Sequence, residues 1–510
     1  MLSPALSVGG LQRAARARTI VLLAAGFALA AIVGPAIGLL GPRAAAAAIG
    51  VILFLFFPIV CWRRPAASVL VLAGAALLFE QYPLRLGDQL TEQVLLFATL
   101  NTNGASGLFF SPIEVLLATA LVIWLVRGMA RRELRLPRSA PAIALAAFVL
   151  CVVVALVRGL AEGGDYRIIV DEVRPFLYVA SVYLVAAETL RTRGRLWALL
   201  WVDVLATGFK GLQGTYRYLT VTQQTQSLLA HEEAIFFDLF TLLVAGLWLF
   251  GARGRLRRVA TALLPFVVVA NLANQRRVAW IILAFGLVVL FVAAWVSCPE
   301  RRRLVVGTAA AFAIGSAVYL PAFWNSTSTL AQPARGISSA FSPNQRDDSS
   351  NFYRVVENLD LGIAIRRSTP LGVGFGHPIP YAVPLPFDAS TVDPLIIYIP
   401  HNSVLYVWLR TGLPGALAYW MLIGSATVLA CRLLRSGDRQ LALVGTFGLW
   451  TLVAWVFAGW FDAGLVQYRT AVLVGCVLGA LEAARRIAQE EEEVTPAAAV
   501  PRLAPLRGSG

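Results

Sequence analysis

The stretch RRVAWIILAFGLVVLFVAAWVSCPERRR, residues 276–303, places an uncharged run at 278–297 between two groups of arginines. A helix of that length rises about 30 Å at 1.5 Å per residue, which matches the hydrocarbon core of a bilayer. The stretch therefore predicts a membrane-spanning helix with charged residues at both ends.

The rest of the chain repeats this pattern. Of its 510 residues, 58% are hydrophobic and only 14% are charged, whereas soluble domains carry about 25% charged residues. Apolar runs recur along the chain and predict an all-α polytopic membrane protein with about 12–14 transmembrane helices. The fourteen runs are 20–41, 44–61, 66–80, 112–127, 140–157, 174–190, 196–218, 235–251, 259–272, 278–297, 304–323, 413–431, 440–460 and 467–484.

Arginine clusters fix the expected orientation. They occur in every second connection, as at Arg63 and Arg64 or at Arg301, Arg302 and Arg303. By the positive-inside rule these connections are cytoplasmic, as are both termini. The net charge of +15 is thus explained by topology, and no nucleic-acid partner is expected.

This orientation divides the chain into four parts. We expect transmembrane helices 1–11 at 1–323, an external loop at 324–412, C-terminal transmembrane helices at 413–486 and a disordered cytoplasmic tail at 487–510. The protein would reside in the bacterial cytoplasmic (inner) membrane. Its longest connection would face outward.

The external loop contains two predicted helices. The first covers about 351–367, with N-cap candidates at 348–350, and its apolar residues recur at helical spacing. We expect it to lie on the membrane surface, with Arg354 and Asn358 on its polar side. The second helix begins at His401, ends at Gly412 and restarts near Pro414. A helix N-terminus disfavours a protonated imidazole, so His401 would be a neutral proton acceptor.

Several outward-facing basic residues are not required by topology. A charge at a membrane boundary is costly and is usually retained for a partner or ligand. Arginine suits bidentate phosphate binding and can stabilise a diphosphate leaving group. These residues are Arg174, Lys210, Arg217, Arg276, Arg277 and Arg354.

The motifs P-L-G-V-G-F-G at 370–376 and H-N-S-V-L at 401–405, followed by G-x-x-G at 412–415, occur in one external loop after an arginine-bearing helix. This order resembles the O-antigen ligase/polymerase family of bacterial membrane glycosyltransferases. The resemblance implies a GT-C-like, metal-independent and cofactor-free enzyme. Such an enzyme transfers a glycan from a polyprenyl-diphosphate (undecaprenyl diphosphate) donor to a glycan or lipid-glycan acceptor, as in exopolysaccharide synthesis.

The resemblance also implies roles for individual residues. His401 would be the general base that activates the acceptor hydroxyl, and Asn402 beside it would contact the substrate. Arg354 and either Arg276 or Arg277 would bind the diphosphate. Arg174, at the start of a predicted span, is a looser candidate for the same role.

Other interpretations remain open for several residues. His377 is predicted to be structural, and the GVGFG stretch a closely packed backbone segment. His231 with two adjacent glutamates could bind a metal, but the spacing favours a solvated loop. Lys210 could simply pair within the bundle. For the whole chain, the alternative to a transferase is a flippase for lipid-linked oligosaccharides.

Overall fold

The computed structural model describes residues 54–81, 91, 94–99, 109–220, 228–339, 341–343, 345–385 and 394–494. Throughout these ranges the regular secondary structure is helical, which confirms the predicted all-α polytopic class. The helices are α1 (Phe54–Arg63), α2 (Pro65–Leu78), α3 (Pro112–Ala130), α4 (Ala140–Ala161), α5 (Tyr166–Thr189), α6 (Arg193–Thr220), α7 (Glu233–Leu249), α8 (Arg255–Asn274), α9 (Arg277–Ser297), α10 (Arg302–Phe323), α11 (Gln332–Ser338), α12 (Gln345–Arg367), α13 (Ser403–Leu434), α14 (Arg439–Phe461) and α15 (Tyr468–Val494).

Most helices coincide with predicted spans. In the described part of the chain, seven are long and apolar enough to cross a membrane: α3, α4, α8, α9, α10, α13 and α14. α2, α5, α6, α7 and α15 occupy the positions of five more predicted spans. The span predicted at 20–41 lies outside the described residues, as does 44–53 of the next one.

Polar residues at the expected positions begin several helices. Asp438 accepts hydrogen bonds from the backbone N–H groups of Gln440 and Leu441 and so caps α14. Asn402 caps α13 by accepting from the Leu405 N–H. These side chains satisfy backbone donors that have no partner within the helix.

Small residues allow some helices to approach closely. On α6, Gly208, Gly211 and Gly214 face α8, and a Cβ at Gly211 would lie 2.6 Å from a methyl carbon of Val267. Such small-residue faces are a usual way to pack helices in membranes, because dispersion contacts replace the hydrophobic effect there.

Ion pairs join the connections that carry the arginine clusters. Arg193 pairs with Asp438 and Glu491, and Arg439 pairs with Glu300. These connections therefore meet at one end of the bundle, as the alternating arrangement requires. Which side of the membrane this end faces stays a prediction.

The first loop helix starts earlier than predicted. α12 begins at Gln345, so residues 348–350 lie within the helix and do not cap it. Phe352 and Val355 are exposed, while Val356 and Glu357 are buried. The exposed apolar side chains are compatible with the predicted amphipathic helix, and its position at the membrane surface stays a prediction.

The second predicted loop helix forms the first part of α13. α13 begins at Ser403, close to the predicted start at His401, and its helical geometry continues to Leu434 apart from a break at Gly412. α15 continues to Val494, so the first eight residues of the predicted disordered tail are helical. Residues 495–510 lie outside the described part of the chain.

Candidate functional site

The site is organised by the break in α13. Gly412 has φ 68° and ψ −170°, a conformation that favours glycine. The carbonyl groups of Leu409 and Arg410, which lose their helical partners, accept hydrogen bonds of 2.8 and 3.1 Å from the N–H groups of Val373 and Gly374. The glycine-rich loop therefore completes the hydrogen bonding of the broken helix.

The same loop packs tightly against α4 and α5. Gly374 has φ 74°, and a Cβ there would lie 2.8 Å from the Gly159 nitrogen. The Gly376 N–H donates to Glu172 at 2.5 Å. The interpretation of GVGFG as closely packed backbone is thus confirmed.

Arg410 fixes this arrangement from inside. It is fully buried, pairs with Glu172 at 2.5 Å, and donates to the carbonyl oxygens of Gly374 and Tyr398 at 3.2 and 3.0 Å. Arg410 accordingly holds the glycine loop, α5 and α13 together.

His401 lies immediately before the N-cap of α13 and is held by Glu357 of α12. Its backbone N–H donates to Glu357 Oε2 at 3.0 Å, and its Nδ1 lies 3.4 Å from Glu357 Oε1. Tyr353 donates its hydroxyl to the same Oε1 at 2.7 Å and packs edge-on against the imidazole ring. A carboxylate at Nδ1 favours the tautomer that carries its proton there, which leaves Nε2 as a proton acceptor.

The side chain of Asn402 has a structural role. Its side chain caps α13, donates to Asn358 Oδ1 at 2.9 Å, and is buried. It joins the start of α13 to α12 beside His401.

A cavity of about 150 Å³ lies next to His401. Six segments of the chain contribute to it, from before α7 to the end of α14. The lining residues are His231, Gln275, Arg276, Arg277, Val278, Gln332, Arg335, Asp347, Ser350, Arg354, His401, Phe461 and Asp462. We call this cavity the arginine pocket.

The arginine pocket contains four arginines and two carboxylates. Arg276 and Arg277 come from the turn between α8 and α9, Arg335 from α11 and Arg354 from α12. The turn is sharp because Gln275 adopts a left-handed conformation with φ 54°, which is uncommon for a residue other than glycine and is often found at functional sites.

Asp347 holds two of these arginines in position. Its carboxylate lies 3.5 Å from Arg335 and 3.9 Å from Arg277, and Arg277 also donates to Asn351 Oδ1 at 3.1 Å. Since arginines exceed carboxylates by two, the pocket suits an anion.

Asp462 also lines the pocket, together with His231, whose Nδ1 lies 3.5 Å from Asp462 Oδ2. Burial raises the pKa of Asp462, but the hydrogen bond with His231 and the positive charge of nearby Arg354 help to outweigh it, so the pKa lies below its usual range. Asp462 is therefore ionised at neutral pH.

Some predicted candidates lie elsewhere. Arg174 lies inside α5, not at its start, and pairs with Glu114 and Asp171. His377 does not line the arginine pocket. Lys210 is buried and pairs with Glu80 and Glu233, as the interpretation of pairing within the bundle predicted.

The partners of the glutamates next to His231 do not favour a metal site at this histidine. Glu233 is buried and pairs with Arg469 at 2.7 Å. In the described part of the chain, no group of three or more His, Cys, Asp or Glu side chains is arranged to hold a metal ion.

Several site residues were not identified from the sequence. Glu357, Tyr353, Arg335 and Asp462 were missed. His231 lies in a turn with an exposed side chain, as the solvated-loop interpretation predicted, and it also lines the pocket. Glu357 could have been identified from the sequence, because Glu357 and Asp360 fall on one face of a predicted helix whose other face is apolar. Asp462 offered no comparable signal.

Residues 260–420, about a third of the chain, match the family model described as O-Antigen ligase. The predicted resemblance to the O-antigen ligase family is therefore confirmed. The matched segment contains Arg276, Arg277, Arg335, Arg354 and His401, and it supports an O-antigen ligase-type membrane glycosyltransferase in general. A comparison with curated proteins found no match.

Proposed function

We propose that this protein transfers a glycan from a polyprenyl-diphosphate donor to an acceptor hydroxyl on the external face of the bacterial inner membrane. His401 acts as the general base. Arg276, Arg277, Arg335 and Arg354 bind the diphosphate. Arg174, which the sequence suggested for this role, is omitted because Glu114 and Asp171 occupy its guanidinium group.

The observation that supports this proposal is the meeting of a histidine–glutamate pair with four arginines around one cavity. An imidazole with a carboxylate at Nδ1 is a common arrangement for a general base. Arginines bind diphosphate oxygens through paired N–H groups. A diphosphate site beside a base is what glycan transfer from such a donor requires.

The proposed reaction is a single displacement. His401 Nε2 takes the proton of the acceptor hydroxyl as the acceptor oxygen bonds to the anomeric carbon of the donor. The bond between that carbon and the phosphate oxygen breaks, and the electron pair leaves with the diphosphate. The arginines stabilise the negative charge that develops on the leaving group.

Reconstitution tests this proposal. Protein in liposomes receives a polyprenyl-diphosphate oligosaccharide and an acceptor, and the transferred glycan is quantified by mass spectrometry. We expect His401→Ala to reduce transfer by about 100-fold or more, since a general base contributes 10²–10⁴-fold. His377→Ala, the matched control outside the pocket, should retain most activity.

Two outcomes would contradict the proposal. Equal transfer by wild type and His401→Ala would exclude His401 as the base. Movement of intact donor across the bilayer, without formation of a new glycosidic bond, would favour the flippase.

A further inference from the structure

The wall of the arginine pocket is almost entirely polar. Among its thirteen lining residues only Val278 and Phe461 are apolar. Val278 lies in the first turn of α9, and Phe461 is the last residue of α14. In the part of the chain that the structure describes, an apolar chain attached to an anion in the pocket therefore meets apolar lining residues only on α9 and α14.

Phe461 begins a row of aromatic rings that leads away from the pocket. Its ring stacks on that of Phe457, with centroids 6.2 Å apart and planes 12° apart. Phe457 in turn contacts Phe285 of α9, with centroids 4.6 Å apart. Phe285 is eight residues beyond Arg277, about 12 Å along the helix. We call these three residues the aromatic track.

The aromatic track is open on its outer side. α14 is buried from Leu441 to Leu452, and at its pocket end Phe461 is 37% exposed. Phe285 of α9 is 51% exposed. At the opposite end α9 and α13 are joined, because Ser297 Oγ donates to the Leu434 carbonyl oxygen at 2.8 Å. Both ends of the aromatic track are therefore accessible from outside the helix bundle.

We propose that the aromatic track seats the first isoprenoid units of the donor lipid. This inference rests on the proposed function, because it takes the occupant of the arginine pocket to be a polyprenyl diphosphate. In that compound the lipid chain is bonded directly to the phosphate, so the chain must leave the pocket beside the charged group. Aromatic faces offer extended dispersion contacts to branched hydrocarbon. The track thereby sets the position of the diphosphate relative to His401.

Photo-crosslinking tests this assignment. A polyprenyl diphosphate with diazirine groups in its first isoprenoid units is incubated with the protein in liposomes, and labelled peptides are mapped by mass spectrometry. We expect labels in the pocket-proximal halves of α9 and α14, and we expect unlabelled polyprenyl diphosphate to compete with them. Labels on other helices would overturn the proposal.

Variants sharpen the test. The double variant Phe285→Ala/Phe461→Ala should be labelled about fivefold less on these two helices, since each substitution removes one aromatic contact with the lipid. Phe312→Ala on α10 is the matched control, because Phe312 is 50% exposed but remote in sequence from the track and absent from the pocket lining. Unchanged labelling in the double variant would also overturn the proposal.

The two proposals fail in different ways. His401→Ala should be labelled as wild type is, because labelling requires no turnover. If wild type is labelled on α9 and α14 but transfers no glycan, the lipid site on the aromatic track is supported and the proposed transferase activity is rejected. If wild type transfers glycan but is labelled on other helices, the transferase activity is supported and the lipid site on the aromatic track is rejected.

Discussion

Glu357→Gln tests how His401 is held. The glutamate accepts from the His401 N–H at 3.0 Å and from the Tyr353 hydroxyl at 2.7 Å, and it contacts His401 Nδ1 at 3.4 Å. A glutamine of the same size has one acceptor oxygen, and its amide N–H groups must face some of these donors. The substitution therefore disturbs the tautomer of His401 and largely preserves packing.

The expected loss can be estimated from these contacts. Hydrogen bonds to a charged group contribute about 1.5–3 kcal/mol and neutral ones about 1 kcal/mol. Weakening two of them should lower the free energy of unfolding by about 2 kcal/mol. Loss of an oriented general base should reduce kcat by about 100-fold, which is about 2.7 kcal/mol of activation free energy.

Asp360→Asn is the matched control for this experiment. Asp360 is buried on the same face of α12, and it accepts from the N–H groups of Ala382 and Val383 at 2.8 and 2.9 Å without contacting His401. Both variants should lose stability in thermal unfolding, but only Glu357→Gln should lose most of its transfer rate. Equal effects of the two variants on kcat would refute a specific role for Glu357.

Three further predictions concern stability. Gly374→Ala should lower the free energy of unfolding by at least about 2 kcal/mol, because the φ of Gly374 is positive and the new Cβ would meet the Gly159 nitrogen. The control is Gly362→Ala on α12, where a Cβ meets nothing within 4 Å, and it should raise the free energy of unfolding by about 0.5–1 kcal/mol. A loss of stability at both positions would contradict this reasoning. Arg410→Met should lower the free energy of unfolding by about 3–5 kcal/mol, because it leaves Glu172 buried without its guanidinium partner. Arg439→Met removes only an exposed pair with Glu300 and should lower it by less than about 1 kcal/mol. Chemical unfolding compares the two variants, and equal losses would count against a structural role for the buried pair. The pKa of Asp462 is lowered in the folded protein, so its ionised form stabilises the fold fully above the unfolded value of about 3.9. The difference in thermal midpoint between wild type and Asp462→Asn should therefore shrink as the pH falls below about 4, and a difference that stays the same or grows below that pH would disprove the assignment.

Hydropathy was sufficient to locate most helices because a bilayer demands long uncharged segments. The break in α13 was also predictable, since Gly412 and Pro414 interrupt an otherwise helical pattern. The start of α12 was not predictable in this way, because residues 348–350 suit an N-cap by type but lie within a helix that begins at Gln345.

The arginine pocket could be anticipated only in part. Arg276, Arg277, Arg354 and His401 were selected because their charges or motifs were unusual. Their partners come from distant positions, as Asp462 does, and spacing within one chain does not show which distant segments meet. Arg174 was selected by the same charge argument, but a nearby glutamate and aspartate neutralise it in the fold.

The central claim is that one pocket joins an anion site to a separate base, and the direct test measures binding and transfer on the same vesicles. Liposomes that contain wild type, His401→Ala or Arg354→Ala receive radiolabelled polyprenyl-diphosphate oligosaccharide, and both retained donor and transferred glycan are counted. We expect His401→Ala to retain donor as wild type does but to transfer at least about 100-fold less, whereas Arg354→Ala should retain less donor. If His401→Ala lost donor retention to the same extent as Arg354→Ala, or if neither variant differed from wild type, the division of roles within the pocket would be wrong.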